Sequence, residues 1–182
     1  WGLEKNPVIA VKPVNHPGVR PSKSVWRGTN AILSWGWSGC EGNKAEVEVY
    51  SDQAAVELIL NGKTVGKKKL KENRAIFKIK YQSGTIRAIA YDAEEKRVGE
   101  SELSSASGKI LVKIRPEKEK AAVGEILYVP VNLEGENGVV ESNMDRKLTV
   151  SVEGGELLGF GSANPCTEES YQTGSFTTYY GK

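Results

Sequence analysis

Apolar and polar side chains alternate with a period of two along most of the chain after residue 45. In "AEVEVYS", Val47 and Val49 fall on one face and Glu46 and Glu48 on the other; in "AAVELILNG", Val56, Leu58 and Leu60 share a face. Side chains on an extended segment point alternately to opposite sides, so this pattern predicts half-buried strands. Asn61-Gly62 then precedes "KTVG". Both central residues of a type I′ turn need positive φ, which Asn and Gly tolerate, so a two-residue hairpin is expected there. The runs "RAIFKIKY" (Phe77, Ile79 and Tyr81 against Lys78 and Lys80), "GTIRAIAYD" and "RVGESEL" continue the series, separated by turns such as "KEN", "QSG" and "AEEK". That spacing is typical of a β-sandwich.

The small polar stretch "SSASG" at 104–108 interrupts the alternation, which restarts with Ile110, Val112 and Ile114, then Leu127, Val129, Val131 and Leu133, then Leu148, Val150 and Val152. We therefore expect an all-β chain of two tandem immunoglobulin-like β-sandwiches, residues 25–106 and 107–182. No segment repeats apolar residues at helical spacing for more than a turn. Residues 1–24 carry Pro7, Pro13, Pro17 and Pro21, which favour extended backbone, and are read as a lead-in from a preceding domain with one short strand at 8–11. The final "SFTTYYGK" reads as a penultimate strand, so the second sandwich is expected to be incomplete, truncated before its last strand. The only methionine is Met144, so Trp1 is no translation start and the chain reads as an excerpt.

Composition adds bounds. The 182 residues are 38% hydrophobic and 26% charged, with a net charge of +2. Such a chain is soluble and globular, and its overall field is too weak to draw it to nucleic acid or to an anionic membrane. No apolar run reaches the ~18 residues of a membrane helix. Cys40 and Cys166 are distant in sequence and lie on opposite sides of the expected boundary, so no disulfide is expected and the compartment, cytoplasmic or exported, is left open.

The chemistry of catalysis is thinly represented. The single histidine, His16, sits in a Pro-Gly loop, and no ligand cluster for a metal or a cofactor is present. "GFGSAN" at 159–164 lacks the third glycine and the helix of a dinucleotide fingerprint. "GKKKLK" at 66–71 is read as a charged edge that discourages sheet-to-sheet pairing. Glu46 with Glu48 is assigned to a solvent face and Glu168 with Glu169 to a polar loop, where nothing sets one carboxylate apart as proton donor from the other as nucleophile. No catalytic residue is assigned. The candidate binding residues are Trp35, Trp37 and Tyr50. Trp35 and Trp37 lie two apart in "ILSWGWSGCEG", where they either form a flat platform for a sugar ring or bury against the core or a domain joint.

The segment "AILSWGWSGCEGNKAEVEVYSDQAAVELILNGKTVGKKK", followed by "GTIRAIAYD", resembles the first accessory domain after the catalytic barrel of bacterial β-galactosidases of glycoside hydrolase family 2. The matching positions are Ser34, Trp35, Trp37, Glu41, Gly42, Val47, Val49, Tyr50, Val56, Glu57, Leu58, Leu60, Asn61, Gly62, Lys63 and Gly66. The stretch 152–182 resembles the last immunoglobulin-like domain of the same enzymes, in which a further strand follows. The resemblance implies a retaining glycosidase as parent, with its glutamates in an upstream barrel, the acid/base one after an asparagine. No Asn-Glu dipeptide occurs here. It therefore implies a non-catalytic C-terminal region that supports domain packing, assembly and substrate access, with the upstream barrel of the same polypeptide as partner. It also places the Trp35–Trp37 segment at the joint with that barrel. A carbohydrate-binding module using exposed aromatic rings, or an adhesin-like protein with immunoglobulin-like repeats, are the rival readings.

Overall fold

The computed structural model describes residues 5–16 and 28–182. The expectation of extended backbone at Pro17 and Pro21 lies outside the described residues. Among those described, the chain is all-β with no helix, and its strands pair antiparallel throughout. Among the described residues no helix is long and apolar enough to cross a membrane. The chain divides into two compact units, Trp1–Ser105 and Ala106–Lys182.

The first unit contains β1 (Val8–Val11), β2 (Lys44–Tyr50), β3 (Ala55–Leu60), β4 (Lys63–Lys69), β5 (Arg74–Lys80), β6 (Thr85–Tyr91) and β7 (Arg97–Ser104). Three strands form one sheet in the order β1-β2-β5, and four form another in the order β4-β3-β6-β7. The alternation seen in the sequence becomes the core of a β-sandwich. Val47, Val49, Ala75 and Phe77 from the first sheet and Val56, Leu58, Ile86, Ala88 and Ala90 from the second are buried. The strand at 8–11 forms where the sequence places it. It pairs with β2 and buries Ile9, Ala10 and Val11, so this part of the lead-in packs within the first unit.

Two tight turns connect the strands. Leu60 pairs with Lys63 around Asn61 (φ 49°) and Gly62 (φ 77°), the type I′ geometry expected from the Asn-Gly pair. A second turn of the same kind passes the chain from β4 to β5. Lys71 and Arg74 exchange backbone hydrogen bonds of 3.0 Å in both directions, with Glu72 (φ 51°) and Asn73 (φ 59°) between them. The sequence signal there was only a polar cluster, because Glu72 is not a residue that favours positive φ.

The second unit is sparser in strand than its alternation predicts. It holds β8 (Leu111–Ile114) paired with β9 (Val131–Glu134), and β10 (Lys147–Thr149) paired with β11 (Ser175–Thr177). The expected run from Leu127 to Leu133 becomes regular only from Val131. Pro130 has no N–H to give to a ladder, and the pairing beyond it thins to Arg115 N–H on the Pro130 carbonyl (2.9 Å) and Glu117 N–H on the Tyr128 carbonyl (3.3 Å). Of the anticipated inward-facing residues, Leu133 is buried together with Phe176, whereas Val112, Ile114, Val129 and Val152 are exposed. Alternation supplies an apolar face, but burial needs a facing layer, and two short pairs provide little of one.

Candidate functional site

The residues singled out in the sequence converge on the first unit. Trp35 and Trp37 have zero exposure, so neither ring shows a face to solvent. The Trp35 indole N–H donates to the Gln82 carbonyl (3.1 Å), and that of Trp37 to the Ser34 carbonyl (3.3 Å). Trp35 meets the Tyr81 ring at 4.8 Å between centroids with a 60° tilt, an edge-to-face contact favoured by the ring quadrupoles.

Tyr81, at the end of the "RAIFKIKY" run, is the hub that the sequence did not reveal. Its side chain is fully buried. The hydroxyl accepts the Trp37 backbone N–H (3.2 Å) and lies 3.1 Å from the Trp35 carbonyl and 3.0 Å from Ser105 Oγ. Ser105 Oγ in turn donates to the Trp35 carbonyl (2.8 Å) and accepts the Gly84 N–H (3.1 Å). An irregular segment, the end of β7 and the β5–β6 turn are thus tied to one phenol. The only sequence signal was that Tyr81 shares a face with Phe77; that its hydroxyl would satisfy backbone groups at residues 35 and 37 is a long-range fact.

Tyr50 closes β2 and is half-buried. Its hydroxyl donates to Glu48 Oε2 at 2.5 Å. Burial, then the adjacent Glu48 carboxylate, pushes the phenol pKa up. The assignment of Glu46 and Glu48 to a solvent face is corrected for Glu48, which is 1% exposed. Lys12, just beyond β1, spans both carboxylates: it pairs with Glu46 and stands 3.7 Å from Glu48. The neighbouring edge strand, with Lys12 and the Tyr50 hydroxyl on its carboxylate, encloses what an isolated strand would have left to water.

The other carboxylates with resolved partners are likewise engaged structurally. Glu57 accepts from Tyr91 Oη (2.7 Å) and Thr64 Oγ1 (2.9 Å), and the Tyr91 bond is the main cause that lowers its pKa. In the second unit Glu134, 2% exposed, takes a fork of two bonds from the Arg115 guanidinium (2.9 and 2.5 Å). That contact holds its pKa down to about 2. Glu169 receives the Thr177 N–H and hydroxyl, each at 3.0 Å, so this loop residue holds β11, and the backbone bond lowers its pKa. His16 is exposed. Cys40, buried, and Cys166, exposed, are both free thiols. Among the described residues no group of His, Cys, Asp and Glu is placed to hold a metal ion. The arrangement is one of braces: Tyr81 and Glu169 hold backbone groups, and Glu48, Glu57 and Glu134 are tied to neighbouring side chains.

Known proteins supply the context. Residues 118–182 match glycoside hydrolase family 2 C-terminal domain 5. Residues 42–99 match a domain of unknown function, DUF4982. No curated protein matches the chain. Among solved structures, a glycosyl hydrolase family 2 member from Bacteroides cellulosilyticus is similar over 98% of this chain, with 27% identity and a TM-score of 0.81. A β-glycosidase from Bacteroides vulgatus is similar over 82% of the chain, with 25% identity and a TM-score of 0.67. A β-glucuronidase of family 2 covers 97% at 17% identity with a TM-score of 0.68, a likeness of fold alone. The chain spans 24%, 20% and 17% of these three proteins, respectively. The domain match over 118–182 and the first of these structures thus mark what the chain is similar to, proteins of glycoside hydrolase family 2.

Proposed function

We propose that the chain is the accessory region of a retaining β-galactosidase, two domains with their sequence boundary near residue 106 that brace an upstream catalytic barrel, set its assembly and shape access to its substrate. The observation that carries this reading is the family 2 C-terminal match over 118–182, joined to a structural likeness that runs through both units. The galactoside assignment is supported by the β-galactosidase-like pattern from Ser34 to Gly66. The non-catalytic role is supported by the structural engagement of Glu48, Glu57, Glu134 and Glu169.

The test is an assay of the complete polypeptide and of the 182-residue chain on nitrophenyl β-galactoside and β-glucuronide. The complete protein is expected to cleave the galactoside with retention at the anomeric carbon, and the isolated chain to cleave neither. Preference for the glucuronide would overturn the galactoside assignment. Turnover by the isolated chain would overturn the accessory role.

A further inference from the structure

Residues 63–74 concentrate charge. They carry six cations, Lys63, Lys67, Lys68, Lys69, Lys71 and Arg74, against one carboxylate, Glu72, in a chain whose net charge is only +2. The fold gathers part of this run around one groove of about 450 Å³ where β4 turns into β5. It is lined by Lys68, Lys69, Lys71 and Arg74 with Ala75 and Ile76, and Glu72 is its single acidic group.

Protection of a sheet edge explains part of the pattern, since β4 is the outer strand of its sheet. It does not explain Lys71, which lies beyond the end of β4 in the tight turn; Arg74 opens β5, the outer strand of the other sheet, and the turn brings the two cations to one place. The cations also differ in how they are compensated. Lys67 stands over the Tyr91 ring at 3.9 Å and 4.0 Å from Glu95. Lys68 is held by neutral groups: Nζ donates to the Ile76 carbonyl (2.6 Å) and lies 4.9 Å from the Phe77 ring centroid. The main chain brings Lys71 and Arg74 together by hydrogen bonds in both directions, so the basic cluster is set by a turn rather than by chance contact of long side chains. Lys69 and Lys71 are exposed.

We propose that this groove binds an acidic polysaccharide, with Lys68, Lys69, Lys71 and Arg74 receiving anionic groups of successive sugars. Lys69 closes β4 and Lys71 follows it by two residues, a span of about 7 Å in extended backbone, close enough to serve neighbouring sugars of one chain. The choice of a glycan over other polyanions rests on the accessory role proposed above. The positive field of the groove itself does not.

Affinity electrophoresis of the 182-residue chain tests the proposal, with polygalacturonate and dextran sulfate as carboxylate and sulfate probes, neutral dextran as control and single-stranded DNA as competitor polyanion. Retardation by at least one acidic glycan, none by dextran, and loss of retardation in high salt are expected. The Lys69→Glu/Lys71→Glu variant should bind about tenfold more weakly, since two attractive contacts become repulsive. Lys109→Glu/Lys120→Glu, with the same change in net charge on exposed residues of the other unit, should bind as the parent chain does. Absence of retardation, equal binding by the groove variant, or equal loss in the control variant would overturn the site. Tighter binding of DNA than of both glycans would overturn the glycan assignment while leaving the galactosidase reading to its own assay.

Discussion

Removal of the Tyr81 hydroxyl is the sharpest probe of the first unit. Tyr81→Phe keeps the ring and its contact with Trp35 while deleting a buried oxygen that serves the Trp37 N–H at 3.2 Å and stands 3.1 and 3.0 Å from the Trp35 carbonyl and Ser105 Oγ. A net hydrogen bond is worth about 1 kcal/mol, and depriving a buried donor of its acceptor costs about 1–3 kcal/mol, so the expected loss is about 2 kcal/mol. Tyr81→Ala also forfeits the aromatic volume and should cost about 3–5 kcal/mol, by analogy with other large-to-small core changes. Trp35 and Trp37 are buried in this unit and the second unit holds no tryptophan, so the change in tryptophan fluorescence during urea unfolding reports on the first. A fall in the transition midpoint at constant slope isolates stability from changes in exposed area. If Tyr81→Phe shifts stability by less than about 0.5 kcal/mol, the range of an ordinary surface change, the hub is not a brace and the argument fails.

Two further predictions concern turns and ion pairs. A Cβ on Gly84 (φ +127°) would stand 2.0 Å from Asn61 Oδ1, which accepts the Thr85 N–H at 2.8 Å. Gly84→Ala should therefore cost about 1–3 kcal/mol in urea unfolding; in an Asn61→Gly background the penalty should shrink to the strain of the backbone alone, and an unchanged penalty would refute the clash. For Glu134 the folded-state pKa, about 2, lies below the ordinary carboxylate value, so its ion pair with Arg115 stabilises fully above pH ~4.5 and is lost as pH falls toward about 2. The thermal transition of the chain that tryptophan fluorescence does not report, followed by far-UV circular dichroism, should drop across that window, and Glu134→Gln should flatten the drop; an equally steep profile in the variant would refute the assignment.

Local grammar carried far in this sequence because it is read out locally. Alternation at Val47 and Val49, or at Val56 and Leu58, needs only the pleat of a strand to become a buried face. Asn61-Gly62 needs only the allowed φ of two residues to become a hairpin turn. The family resemblance between Ser34 and Gly66 likewise rests on linear spacing. What the sequence left undecided depended on neighbours remote along the chain. Glu48 is buried because β1 and Lys12 lie beside it, and Trp35 and Trp37 share the hydroxyl of a tyrosine more than 40 residues away. In the second unit an equally clear alternation left Val112 and Ile114 exposed. Period alone selects extended backbone and divides its faces, whereas the choice of which face is dry belongs to whatever packs against it.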